Sequence, residues 1–184
     1  FPEFDRDPEE PLVCAPQRVD GTNGKDILFG DEKAHRSELD ILIKGDGNDN
    51  VLFGSSGKDH IFGKGGDDTI DGQDGDDKLF GGSGDDTIGG GRGDDKQSGG
   101  DGEDTLDGGQ GTDKLFGKGG EDSLIGGNGP DKLWAVDNDS DTVYGGNGND
   151  KLIVDQHDSI VGSDGNDEVK LLFIGDNNSE NESG

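Results

Sequence analysis

The sequence predicts an all-β chain wound as a parallel β-solenoid of about eight 18-residue coils. Three observations predict it. An Asp recurs every nine residues through the middle of the chain, a large aliphatic follows two residues after nearly every one, and glycines crowd the positions before it. Residues 75–91, GDDKLFGGSGDDTIGGG, show all three at once.

Composition alone points away from a self-sufficient core. Of 184 residues, 24% are hydrophobic and 5% aromatic, 38 are Gly, and 44 acids against 16 bases leave a formal net charge of -28. Low hydrophobicity with high net charge marks a chain that cannot offset the cost of its own ordering. A compact state therefore needs a counterion. Nucleic acid is excluded as a partner, because phosphate contacts need clustered Lys and Arg. No membrane span is expected, since no apolar run approaches the roughly 18–20 residues required. The one cysteine, Cys14, has no partner for an internal disulfide and reads as a bystander thiol.

The period is explicit in Asp59, Asp68, Asp77, Asp86, Asp95, Asp104, Asp113, Asp122 and Asp131. The aliphatics two residues on are Ile61, Ile70, Leu79, Ile88, Leu106, Leu115, Leu124 and Leu133, with Gln97 the exception. Asp26, Asp40 and Asp49 precede this block, and Asp141, Asp150, Asp158 and Asp167 follow it, with slips in spacing. Residues 31–36 interrupt the early part and read as a surface loop. The unit is G-G-x-G-x-D-x-U-x, with U a large aliphatic. The triplet x-U-x makes a short strand with U inward and its neighbours outward. The glycines permit positive φ, so six residues can close a tight turn and leave carbonyl oxygens uncovered. Two nonapeptides close one coil, and coils stack at roughly 4.8 Å.

Stacking aligns the loop acids every 18 residues. One edge carries Asp59, Asp77, Asp95, Asp113, Asp131, Asp150 and Asp167; the other carries Asp49, Asp68, Asp86, Asp104 and Asp122. Bare carboxylates this close repel. A hard divalent cation removes the repulsion, and Ca²⁺ takes 6–8 oxygens in flexible geometry. No Cys/His cluster offers a zinc site. About ten Ca²⁺ would bring the charge of -28 to -8, an ordinary surface charge. The loops at Asp26, Asp40, Asp141 and Asp158 have lost glycines and are weaker candidates. "DNDSDT" starts like an EF-hand loop but lacks the Gly and Glu that such a loop requires.

The nonapeptide resembles the RTX (repeat-in-toxin) family of hemolysin-type calcium-binding repeats, over about residues 21–170. The resemblance implies a right-handed parallel β-roll. It also implies that each Ca²⁺ lies between adjacent stacked loops, with a shared Asp bridging and loop carbonyls completing the shell.

Alternate strands differ in their outward residues. One set presents His60, Lys78, Lys96, Lys114, Lys132 and Lys151, with Phe62, Phe80, Ser98, Phe116, Trp134 and Ile153 beside them. The other presents a Thr/Ser column, too narrow for ice binding and ordinary for strands. The Lys/aromatic face is the only basic, aromatic surface on an acidic chain. Its candidate residues are Lys78, Phe80, Lys96, Lys114, Phe116, Lys132 and Trp134. Two readings stand: it binds an acidic, alginate-like polysaccharide, or it is covered by the N-terminal segment or by a second copy. Gln97 points inward and needs a partner there. The apolar run VKLLFIG, residues 169–175, is expected to cap the last coil.

The domain plan is an acidic, Pro-rich segment over 1–20, a roll over 21–170, and a cap with a polar, disordered tail over 171–184. Catalysis is not expected. There is no HExxH and no G-x-S-x-G, and His35, His60 and His157 follow no ligand spacing. The chain starts at Phe1, so a mature form or a fragment is expected. Secretion is expected, because weak sites suit extracellular calcium and three N-x-S sequons are present. Function is thus expected to be calcium binding that drives folding into a structural or interaction module. The alternative is a non-catalytic polysaccharide-binding module of a larger secreted RTX enzyme.

Overall fold

The structure is a computed structural model that describes residues 17–21, 24–25, 27–29, 40–162 and 166–173. The expected covering segment over 1–16, the loop 31–36, Asp26 and the tail beyond 173 lie outside the described residues.

Strands follow one another at nine-residue intervals, as the aliphatic period requires. They are β1 (Gln17–Asp20), β2 (Ile27–Phe29), β3 (Ile41–Lys44), β4 (Val51–Ser55), β5 (His60–Gly65) and β6 (Thr69–Gln73). The central ones are β7 (Lys78–Ser83), β8 (Thr87–Arg92), β9 (Lys96–Asp101), β10 (Thr105–Gln110), β11 (Lys114–Gly119) and β12 (Ser123–Asn128). The last are β13 (Lys132–Ala135), β14 (Thr142–Asn147), β15 (Lys151–Val154), β16 (Ser159–Ile160) and β17 (Glu168–Leu171). The odd strands form one nine-stranded parallel sheet and the even strands an eight-stranded one, each strand pairing with the strand two earlier. This is a parallel β-roll. Its regular part makes about 7 turns at ~18-residue spacing, slightly fewer than the eight expected.

The core is a single file of aliphatics per sheet. Ile61, Ile70, Leu79, Ile88, Leu106, Leu115, Leu124 and Leu133 are all buried, each in register with its equivalent one coil away. Each contributes roughly 1.5–3 kcal/mol by leaving water, so every coil brings little apolar stabilisation of its own. Gln97 interrupts the file. It is fully buried, and its Nε2 donates to the Asp107 carbonyl at 2.7 Å, while its Oε1 has no partner.

Register jumps locate the irregularities. Gln17 pairs with Ile41 and Ile27 with Val51, so six residues beyond an 18-residue coil fall between β2 and β3. Ser123 pairs with Thr142, one residue over, and Lys151 pairs with Glu168, one residue short. Of the C-terminal apolar run, residues 169–173 are described. Val169 pairs in register with Leu152 as one more rung, and Val169 and Phe173 remain 47% and 81% exposed. Strand pairing satisfies the backbone groups of β17.

Candidate calcium sites

The turns at the two edges of the roll build the candidate sites. On one edge the backbone N–H of Asp59 donates to Oδ1 of Asp77 at 2.7 Å. The relation repeats from Asp77 to Asp95, Asp95 to Asp113, Asp113 to Asp131, Asp131 to Asp150 and Asp150 to Asp167, at 2.8–3.1 Å. On the other edge it links Asp68 to Asp86, Asp86 to Asp104 and Asp104 to Asp122 at 2.8–2.9 Å. Each carboxylate therefore clips its own coil to the preceding one.

The second oxygen is the informative one. Oδ2 is buried and without a hydrogen-bond partner in Asp68, Asp77, Asp86, Asp95, Asp104, Asp113, Asp122, Asp131 and Asp167. Such an atom carries a desolvation cost unless something else meets it. Asp59 is different: its Oδ2 accepts the Ser55 N–H at 2.6 Å.

Glycine makes the room. The first glycine of each repeat, five residues before the Asp, turns its Cα inward against that Oδ2. A methyl on Gly81 would overlap the Asp86 carboxylate, and one on Gly72 would lie 2.5 Å from Asp77 Oδ2 and 2.7 Å from the Gly90 carbonyl oxygen. A free carboxylate oxygen and a neighbouring coil's carbonyl oxygen thus converge where no side chain can stand. Hard oxygen donors without nitrogen or sulfur suit Ca²⁺. The residues present fit the ion: the Asp Oδ2 atoms and the glycine-loop carbonyls would hold it, and it would supply positive charge to both edges.

Burial holds the carboxyls from Asp68 to Asp131 well above the usual carboxylate range, opposed in part by the N–H bond each accepts. Asp77 is pushed up to about 8. Asp68, Asp95, Asp104, Asp122 and Asp131 rise to about 7. Asp86 and Asp113 rise to about 6. The same cause raises Asp59.

Asp49 does not occupy the column that the nine-residue count assigned to it. Asn50 does: it is buried, and its N–H donates to Asp68 Oδ1 at 2.7 Å. Asp49 is exposed and accepts the Asp67 N–H at 3.0 Å, in an outer column with Asp67 and Asp85. Putting residue type before spacing placed it one residue out of phase. Conversely, Asp141 and Asp158 do join the inner column, accepting the N–H of Asp122 at 2.7 Å and of Asp141 at 3.1 Å. Their glycine-poor loops concealed them, although their spacing from Asp122 was a usable signal.

On the face of the odd strands, Lys78, Lys96, Lys114 and Lys132 stand in one exposed row, in register. The rings beside them are half-buried and stack on one another: Phe62 on Phe80 at 4.9 Å, and Phe116 on Trp134 at 4.4 Å. Lys96 and Lys118 place their Nζ atoms 5.5 and 5.8 Å from the Phe116 centroid. Among the described residues, no helix is long and apolar enough to cross a membrane.

A family model of the RTX calcium-binding nonapeptide repeat, in four copies, matches residues 42–70, 62–96, 98–135, 136–156 and 154–170. No curated protein matches the chain. The matched stretches span most of the chain and coincide with the coils whose turns carry the clipped, half-satisfied carboxylates. RTX repeats bind Ca²⁺, and this chain belongs to the RTX calcium-binding nonapeptide repeat family.

Proposed function

We propose that the chain is a secreted, non-catalytic module that is unfolded without calcium and winds into its roll as multiple Ca²⁺ bind, then acts in structure or interaction. The observation that carries this reading is the double row of buried Asp carboxylates, in which every one from Asp68 to Asp131 has one oxygen engaged and one without a hydrogen-bond partner. A chain of net charge -28 with 24% hydrophobic residues has too little apolar burial to offset such rows. An ion that binds only the folded state supplies the missing free energy. Sites with Kd of roughly 10⁻⁴–10⁻³ M would fill outside the cell and stay empty in a low-calcium cytosol. Far-UV circular dichroism of the full chain during CaCl₂ titration, with MgCl₂ as control, tests this. A cooperative coil-to-β transition specific to Ca²⁺ is expected. Calcium binding without gain of β structure would overturn folding on binding.

A second reading, an acidic-polysaccharide module, draws on one observation. The aromatic stack is broken at Ser98, which pairs with both Phe80 and Phe116. This leaves one strand without a ring, between Phe80 and Phe116, flanked by Lys78, Lys96 and Lys114. Calorimetry of the calcium-loaded chain with alginate tests it: saturable binding, lost in a Lys96→Ala, Lys114→Ala double variant, would support this reading. Calcium-dependent dimerisation in sedimentation, without glycan binding, would favour self-association instead.

A further inference from the structure

The loop between β13 and β14 is built unlike the glycine turns. Phe116 pairs with Trp134, an 18-residue step, whereas Ser123 pairs with Thr142, a 19-residue step. One extra residue therefore lies in this loop. Ala135, fully buried, stands where regular repeats have their first glycine, and Asn138 takes a φ of 86°. The changed path brings Asp137 inward. Its Oδ1 accepts the Asp139 N–H at 2.9 Å, and its Oδ2 is buried without a partner.

Asp137 meets two members of the inner column. Carboxylate oxygens of Asp122, Asp137 and Asp141 all lie within 4.8 Å of one another. Asp122 and Asp141 are 3% and 1% exposed, and the Oδ2 of each is also unpartnered. The nearby acids are used differently. Asp155 Oδ2 accepts the N–H groups of Asp137 and Asn138 at 3.3 and 2.9 Å, and Asp139 Oδ2 accepts the Gly120 N–H at 3.1 Å. They shape the loop and leave the other three carboxylates facing each other.

We propose that Asp122, Asp137 and Asp141 form a cation site of three side-chain carboxylates that takes Ca²⁺ before any glycine turn does, so that coil stacking begins there. The inference rests on the calcium-roll reading. In the regular turns a carboxylate oxygen is matched with uncharged glycine carbonyls; here a third carboxylate joins. Calcium affinity rises with ligand charge count, and three converging carboxylates repel until a cation neutralises them. Oxygen-only donors favour Ca²⁺, or a lanthanide probe, over zinc or copper.

Trp134 is the only tryptophan, and three residues of chain keep it within roughly 11 Å of Asp137. Terbium titrated into the full chain, with indole excitation, therefore reads this site together with the turn at Asp131, which lies as near in sequence, and the Asp137 variants separate the two. Most of the sensitised emission is expected within the first equivalent, ahead of the gain in β structure. Asp137→Asn should weaken that first step about tenfold, with the dichroism amplitude retained at saturating Ca²⁺; Asp137→Glu should restore it, and Asp139→Asn should leave it unchanged. If Asp137→Asn fails to fold at saturating Ca²⁺, the charge-keeping Asp137→Glu decides: a folded chain with the first step intact supports the site, and a chain that also fails to fold overturns it. An unchanged first step in Asp137→Asn, or emission growing evenly with total loading, would overturn the proposal while leaving the roll intact. A first step that depends on Asp137, in a chain that gains no β structure, would keep the site and overturn folding on binding.

Discussion

Asp85 and Asp86 are neighbours in sequence and hydrogen-bond in opposite directions along the roll. Asp86 Oδ1 accepts the N–H of Asp68, one coil earlier, at 2.8 Å; Asp85 Oδ1 accepts the N–H of Glu103, one coil later, at 2.8 Å. The doubled acid of the repeat is thus two devices. The outer carboxylate is a solvated cap, and the inner one is buried with its Oδ2 lacking a hydrogen-bond partner.

The two should respond differently to the same change. Asp86→Asn keeps an acceptor for the Asp68 N–H but removes charge beside Gly81. We expect the calcium midpoint of folding to rise about threefold or more. Asp85→Asn should shift it little, since its carboxylate is exposed. Parallel calcium titrations followed by circular dichroism check the contrast; equal shifts would contradict the division of roles.

Proton and calcium should compete. The buried Asp residues hold protons more tightly folded than unfolded, with Asp77 at about 8 and Asp86 at about 6 against 3.8. Their contribution to the metal-free roll is therefore fully present below about pH 4 and lost as pH rises through about 6 to 8. Acid should induce β structure without calcium, and calcium uptake near pH 6 should release protons. A pH-stat during CaCl₂ addition measures that release, which should fall towards zero above about pH 9.

Glycine should be replaceable only where it has no neighbour. Gly81→Ala drives a methyl into the Asp86 carboxylate, and Gly93→Ala places one against the Gly75 carbonyl at a φ of 128°. Each should cost about 1–3 kcal/mol or more. Gly89 has ordinary backbone angles and nothing nearer than 4.0 Å, so Gly89→Ala should be tolerated. Thermal melts in saturating Ca²⁺ rank the three.

Gln97 is a substitution the file of aliphatics invites. Gln97→Leu removes a buried Oε1 that has no partner and should stabilise the calcium-loaded roll by about 1–3 kcal/mol. Leu106→Ala, at an equivalent buried position, should destabilise it by about 2–5 kcal/mol. Chemical denaturation at fixed Ca²⁺ gives both signs.

The periodic middle of the chain was legible because each requirement is local. Leu79 and Leu115 lie inward because strands alternate sides, and Asp77 follows its glycines because the turn needs both. Asp49 was misplaced because residue type was put before spacing: the position 18 residues before Asp68 is held by Asn50, with an Asp beside it, and the Asn50 N–H makes the hydrogen bond to Asp68. Asp137 was not legible at all: no spacing rule brings it to Asp122, and it arrives there because one extra residue redirects the loop.

The sequence by itself determined the repeat, the inward file, the acidic edges and the chemistry of a calcium-binding roll. These follow from a nine-residue period, and a period acts through nearest neighbours. Tertiary structure alone decided which oxygen of each Asp is engaged, which acid of each pair faces in, and that the rings beside Lys96 stack on one another. It also decided that β17 pairs with β15 as one more rung. Those outcomes depend on what the adjacent coil presents 17, 18 or 19 residues away, and that register is fixed only once the coils are stacked.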